Sequence, residues 1–233
     1  MKYKLTKNTK EVVNDITLYQ IQSLKDFGDV KKGDLGGWIE KENNLSQEGN
    51  CWIFDNAKVF DNAKVYGNAM VSGDAEVSGD ALISGNAWVS GNAKVYGNAK
   101  VFGNAKVYRD AWVSGNANVF GNAMVSGDAE VFGNALVYGD ALISGNAWVS
   151  GNAEVYGNAK VYGNAKVSDN AIVSGNAKVY GDAKVFGEAN VVCEKKDIFD
   201  DFDVLSDDIE EVVIKGVRYK KVTETKTTWK KVS

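Results

Sequence analysis

Histidine and proline are both absent from this 233-residue sequence, and cysteine occurs only twice. Without imidazole the chain lacks the commonest general base and metal ligand at neutral pH. Ser-His-Asp and Cys-His catalysis are excluded, as is every zinc site that needs a histidine. Two cysteines, Cys51 and Cys193, are too few for a disulfide-stapled secreted scaffold. No apolar run approaches the length of about eighteen residues that a membrane-spanning helix needs. Residues Met1 to Val12 are lysine-rich and lack the apolar stretch of a signal peptide. These absences predict a reduced, cytoplasmic protein with no membrane partner. The net charge of -4 is too small to predict a polyanion-binding surface or a strong DNA mimic.

What is present is a repeat. From Cys51 to Val192 the unit Ala-x-Val-y-Gly-Asn recurs every six residues, 24 times, with no insertion. Its Val/Ile positions run from Ile53 and Val59 through Ile83, Val113, Ile143 and Val173 to Val191. The small residue two places earlier is Ala in every unit but the first, where it is Cys51. A six-residue period does not fit a helix turn. It fits a four-residue strand and a two-residue corner, with Ala and Val facing one way and x and y the other. Gly and Asn suit the corner because both tolerate positive φ. Asp55, Asp61, Arg109 and Asp169 stand where Gly is usual, so the position does not absolutely require glycine. Such a chain buries its Val/Ala face only by coiling, each strand stacking on one a coil earlier at roughly 4.8 Å. The lack of proline agrees, because every inner strand must donate to its neighbour.

Spacing alone leaves the coil length open. The copy of Gly79–Ala93 at Gly139–Ala153 is offset by 60, which fits a coil of two hexapeptides but not of three. The copy of Met70–Val77 at Met124–Val131 is offset by 54, which fits three but not two. The unit Val-Ser-Gly-Asn-Ala-x resembles the hexapeptide repeat of the left-handed parallel β-helix, as in bacterial acyltransferases. The runs Asp26-Phe27-Gly28-Asp29-Val30-Lys31-Lys32-Gly33-Asp34-Leu35-Gly36-Gly37-Trp38-Ile39 and Leu45-Ser46-Gln47-Glu48-Gly49-Asn50-Cys51-Trp52-Ile53 are similar to YdcK-like hexapeptide-repeat proteins. Those proteins are often labelled acyltransferases on fold resemblance, and the likeness carries over no established activity. It implies an all-β fold: a single-stranded, left-handed, three-sided parallel β-helix with three hexapeptides per coil and about eight coils. Non-repeat caps at residues 1–50 and 193–233 would flank the 51–192 solenoid.

On three sides, the first carries outward x residues Trp52, Met70, Trp88, Lys106, Met124, Leu142, Lys160 and Lys178. Ser follows as y after Met70, Trp88, Met124 and Leu142, leaving those side chains uncovered. A contiguous apolar patch of roughly several hundred Å² marks an interaction site. Trp52, Met70, Trp88, Met124 and Leu142 are therefore the candidate interface, or else the N-terminal segment folds over the stripe. The third side carries Phe102, Phe120, Tyr138 and Tyr156 as y residues of successive coils, close enough to stack as an aromatic ladder. The ladder reads as solenoid stabilisation or as a stacking platform for bases or sugars. The repeat region holds 10 basic and 13 acidic residues, so direct nucleic-acid binding is not predicted.

The ends must cover raw strand edges. Ile16–Ile21 has strand composition, and Val212–Tyr219 reads as a hairpin around Lys215-Gly216. Glu194–Glu211 is acidic and the continuation to Ser233 basic, so the two either pair, are solvated, or form a tail for a charged partner. Cys51 and Cys193 sit at opposite ends of the repeat, too far apart for a disulfide.

Three function classes follow. The first is a non-catalytic scaffold or protein-binding module that forms a homo-oligomer, a dimer, through its apolar face or docks on a protein partner. The second is a phage- or prophage-type inhibitor of a host enzyme or nucleic-acid-handling complex, since similar sequences are frequent in phage genomes. The third is an acyltransferase, as the resemblance implies. Enzymes of that fold generally use a histidine base and often a projecting loop, and the solenoid has neither. Asp at exposed corners has no physical reason for a raised pKa. No catalytic residue, metal or cofactor is predicted. An ice-binding face would need a threonine array, and the repeat region has no threonine.

Overall fold

A computed structural model describes residues 1–12 and 15–193, with the backbone of strands Asp203–Val204, Glu211–Ile214, Val217–Glu224 and Lys226–Lys231. In all but two hexapeptides x and Val form a two-residue strand, as in Lys94–Val95, and Gly and Asn turn the chain; Ile172–Gly175 and Asn190–Cys193 are four residues long. The ladder bonding continues onto y, so the straight segment is longer than the strand: the Tyr96 N–H donates to the Val113 carbonyl at 3.0 Å. Every repeat strand up to Ile172 pairs in parallel with the strand three hexapeptides on, as in Trp88↔Lys106, Lys94↔Trp112 and Lys100↔Asn118. Three sheets result, one per side of a three-hexapeptide coil. The inward Val, Ile and Ala side chains form one continuous buried column. Burying a valine side chain contributes roughly 1.5–3 kcal/mol, a gain each strand realises only when its neighbours are in place.

The corners explain both the usual glycine and its exceptions. Gly91 has φ 69°, and a Cβ there would lie 2.8 Å from the Arg109 backbone nitrogen of the next coil. Asp55, Asp61 and Asp169 take the same left-handed conformation, at φ 53°, 57° and 60°. Each carboxylate accepts the N–H of the glycine one coil later, Gly73, Gly79 and Gly187, at 3.0 Å. Arg109, at φ 63°, has no such carboxylate, and its guanidinium lies 6.0 Å from the Tyr108 ring.

The Asn positions form directional ladders. Asn68 donates to Asn86 (3.1 Å), Asn86 to Asn104 (3.0 Å), Asn104 to Asn122 (3.0 Å) and Asn122 to Asp140 (2.9 Å). A carboxylate accepts but cannot donate. The run therefore stops at Asp140, and a new one starts with Asn158 donating to Asn176 at 3.1 Å.

The parallel stack begins before the periodic sequence does. Strands β1 (Tyr3–Val12), β2 (Ile16–Ser23) and β3 (Leu35–Ile39) form an antiparallel set at the edge of the second side. The strand-like composition of Ile16–Ile21 thus corresponds to β2. β3 then joins the solenoid in parallel, Trp38↔Lys58 and Ile39↔Val59, and Leu45 bridges Val65 on the third side. The offset of these pairs exceeds that of the repeat strands by two positions. Ser46 donates to Val65 O and Cys51 to Gly67 O, both at 2.9 Å, which places a two-residue insertion in the corner between Leu45 and Gly49. Inserted there, Gln47 accepts the backbone N–H groups of Lys2 (2.7 Å) and Tyr3 (3.3 Å) through Oε1. Gly36 and Gly37 lie directly on the first repeat. A Cβ on Gly37 would sit 2.5 Å from the Ile53 Cγ2 and 2.6 Å from the Ala57 carbonyl oxygen. The Gly-Gly pair is thus required for space.

At the other end, Asp203–Val204 extends the first side by pairing with Lys178–Val179. The third side continues through Asn190–Cys193 into antiparallel strands Glu211–Ile214, Val217–Glu224 and Lys226–Lys231. Ile214↔Val217 is the closing pair of the expected hairpin; residues 215–216 lie outside the described residues. So do most of the acidic stretch and all side chains from Cys193 onward, including any pairing of acidic with basic tail. Among the described residues no helix is long and apolar enough to cross a membrane.

Candidate functional site

On the first side the register places Trp52, Met70, Trp88, Lys106, Met124 and Leu142 on successive rungs. One of them is not on the surface. Trp52 is 1% exposed, with the Tyr3 ring at 6.2 Å and the Phe27 ring at 5.4 Å, both edge-on. The N-terminal segment therefore covers the stripe at its first rung, because the open end of the apolar column must be shielded there. Trp52 leaves the candidate interface and joins the cap core.

Beyond that rung the stripe is open. Trp88 is 44% exposed, and Met70, Met124 and Leu142 are half-buried. The indole N–H of Trp88 donates to the Ser72 hydroxyl at 3.0 Å, which holds the ring in place. Lys106 divides the stripe, and its Nζ lies 5.8 Å from the Trp88 ring centroid. Two apolar pairs remain, Met70 with Trp88 and Met124 with Leu142, around a central cation.

The second side carries two further indoles outside the predicted site. Trp112 is 41% and Trp148 39% exposed. Each packs edge-on against an aromatic y residue of the preceding coil, Tyr96 at 6.1 Å and Phe132 at 6.0 Å. A lysine lies over each ring, Lys94 at 5.2 Å and Lys166 at 4.3 Å. The recurrence of the ring pairing two coils apart is legible in the spacing of Tyr96/Trp112 and Phe132/Trp148, whereas Lys94 comes from the preceding coil and Lys166 from the following one. The cations cover these rings more closely than Lys106 covers Trp88, so the first side offers the freer apolar surface.

The third-side rings stack as a ladder. Phe102 and Phe120 are 4.9 Å apart at 2°, Phe120 and Tyr138 4.9 Å at 4°, and Tyr138 and Tyr156 4.8 Å at 11°. That spacing leaves no room for a base or sugar ring between them. The inner rings spend both faces on each other. Tyr138 has its hydroxyl 3.3 Å from a Glu154 carboxylate oxygen. Burial chiefly, then the Glu154 charge, pushes its phenol up to about 12. A shorter ladder, Tyr162 on Tyr180 at 5.0 Å, lies on the first side, beyond the residues picked out from the sequence. Among the described residues, no three Cys, Asp or Glu side chains come together as a metal-binding group.

Comparison with known proteins matches residues 57–79 and 135–151 to the YdcK beta-solenoid repeat. A 41-residue segment is 54% identical to a protein of Escherichia coli (strain K12) named uncharacterized acetyltransferase YdcK. The match spans 18% of this chain and 13% of that protein.

Proposed function

Starting from a chain built of YdcK-type β-solenoid repeats, we propose a non-catalytic role: the solenoid is a rigid rod that self-associates through its first side. The observation that carries this reading is the open Trp88, with Met70 beside it, the Met124–Leu142 pair beyond Lys106, and small serines along the border. An isologous pairing lets each copy lay its apolar pairs against the other copy's, with each Lys106 between the two pairs of its own copy and directed over its Trp88 ring. Two features support the absence of catalysis. The chain has no histidine to act as base, and the 24 repeats run without any inserted loop to wall a pocket. A reducing, cytoplasmic setting suits the free Cys51.

The double substitution Trp88→Lys and Met124→Lys tests the reading. Self-association is lost in sedimentation while cooperative unfolding is retained. An unchanged oligomeric mass overturns it.

The relative's name supports a second reading, acetyl transfer. Purified protein that consumes acetyl-CoA with formation of an acetylated product would replace the non-catalytic reading. No turnover is expected.

A further inference from the structure

The cap buries a primary amine against a thiol. Lys2 is 1% and Cys51 0% exposed. The Lys2 Nζ lies 3.2 Å from the Cys51 Sγ, 2.8 Å from the Cys51 carbonyl oxygen and 3.4 Å from the Glu48 carbonyl oxygen. The Phe27 ring closes the site from 5.1 Å. Among the described residues no salt bridge reaches this amine. Burial is the main cause holding its pKa below the ordinary lysine value; the neighbouring Cys51 works in the opposite direction. The amine donates to all three acceptors, the sulfur included, and the Cys51 thiol in turn faces the carbonyl oxygens of Glu48 at 3.6 Å and Ser46 at 3.7 Å. Packing alone does not call for sulfur here, since Ala fills the equivalent position in every other repeat.

We propose that Lys2 and Cys51 form a reversible sulfenamide crosslink when the protein meets hydrogen peroxide. Peroxide first oxidises the thiol to a sulfenic acid: the O–O bond breaks, an S–O bond forms and one water leaves. As β1 opens, the Lys2 ammonium gives up one proton to solvent, and the lone pair so freed attacks that sulfur. The S–N bond forms as the S–O bond breaks, and the departing hydroxide takes an amine proton to leave as a second water. Thiol, amine and one peroxide thus give one sulfenamide and two waters. Excess small-molecule thiol reverses the step, becoming its own disulfide as it returns the amine and the thiol. Access comes through local opening of β1, the outermost strand of the second-side sheet. The crosslink fastens that strand to the first repeat and keeps the end of the solenoid covered.

Full-length protein treated with hydrogen peroxide, then alkylated and mapped by mass spectrometry, tests this. The expected product joins the Lys2 and Cys51 peptides, is lighter by two hydrogens and reverts with dithiothreitol. Its formation quickens with rising pH below the usual lysine range, and the oxidised protein has a higher denaturation midpoint. Lys2→Arg keeps the charge but abolishes the link, leaving a sulfenic acid that dimedone traps. Cys51→Ala restores the repeat residue and abolishes the link without depending on the fold of the Lys2 variant. A Cys51 that stays a free thiol under peroxide, or that proceeds to sulfinic acid in the wild type with no link to Lys2, overturns the proposal.

Discussion

The repeat coils and the N-terminal cap solve the same problem, shielding an apolar column, by opposite means. In the coils every contact recurs: a Val column, an Ala column and corner ladders, each rung supported from both sides. In the cap each contact occurs once. Tyr3 places its hydroxyl 2.7 Å from the Leu45 carbonyl oxygen and 2.9 Å from that of Glu42, Gln47 holds the start of β1, and Gly36 and Gly37 press on the first repeat. A defect in a coil is therefore diluted by its neighbours, whereas a defect in the cap has no substitute. Periodicity carries the coils, and close approach carries the cap.

The sharpest way to break this contrast is Gly37→Val. The new side chain meets backbone and Ile53 with no flexible atom to yield. A loss of about 3 kcal/mol is expected from such overpacking, read as a lower denaturation midpoint at unchanged m-value. An effect of a few tenths would mean the cap is as tolerant as the coils. In the coils the effects are smaller. Asn134 accepts from Asn116 (2.9 Å) and donates to Asn152 (3.0 Å). Asn134→Asp keeps the first bond and loses the second, at a cost of about 1 kcal/mol. The converse change, Asp140→Asn, joins two separate runs on its corner and should stabilise by a similar or smaller amount. Smaller again is Arg109→Gly. Relief of the left-handed conformation outweighs the added chain entropy of glycine, for a net gain of roughly 0.5 kcal/mol.

Alkaline titration sets Tyr138 against Lys2 by sign, while within the cap burial pushes the Tyr3 phenol up as well. Tyr138 has a folded pKa of about 12, above the ordinary 10.0, so its stabilisation is intact below pH 10 and is lost as pH rises through 12. Lys2 is shifted the other way, so the penalty for burying it charged is greatest below its folded pKa and fades as pH rises toward 10.5. Tyr138→Phe should remove one late-ionising phenol from the tyrosinate absorbance curve, and Glu154→Gln should move that phenol earlier. A curve unchanged by either variant would contradict the Tyr138–Glu154 contact.

Much of the architecture was legible from residue order. The inward Val and Ala, the turning Gly-Asn and the Phe102–Tyr156 ladder follow from a period that fits strands. Coil length was not fixed by spacing, because internal copies at offsets of 54 and 60 favour different coils; the i to i+18 register resolves it. Trp52 could not be told from Trp88 by pattern, since both are outward x residues. What separates them is coverage by Tyr3 and Phe27, which stand outside the repeat. The two-residue insertion after Leu45 and the burial of Lys2 are equally aperiodic. The lysines over Trp112 and Trp148 depend on side-chain reach between coils, which sequence order does not specify.

Self-association of the unaltered protein is the most direct test. Sedimentation equilibrium over a concentration series should approach twice the 25.2 kDa chain mass, with Trp88 fluorescence changing in step. A protein that remains at the single-chain mass throughout, with its indole environment constant, would contradict the account.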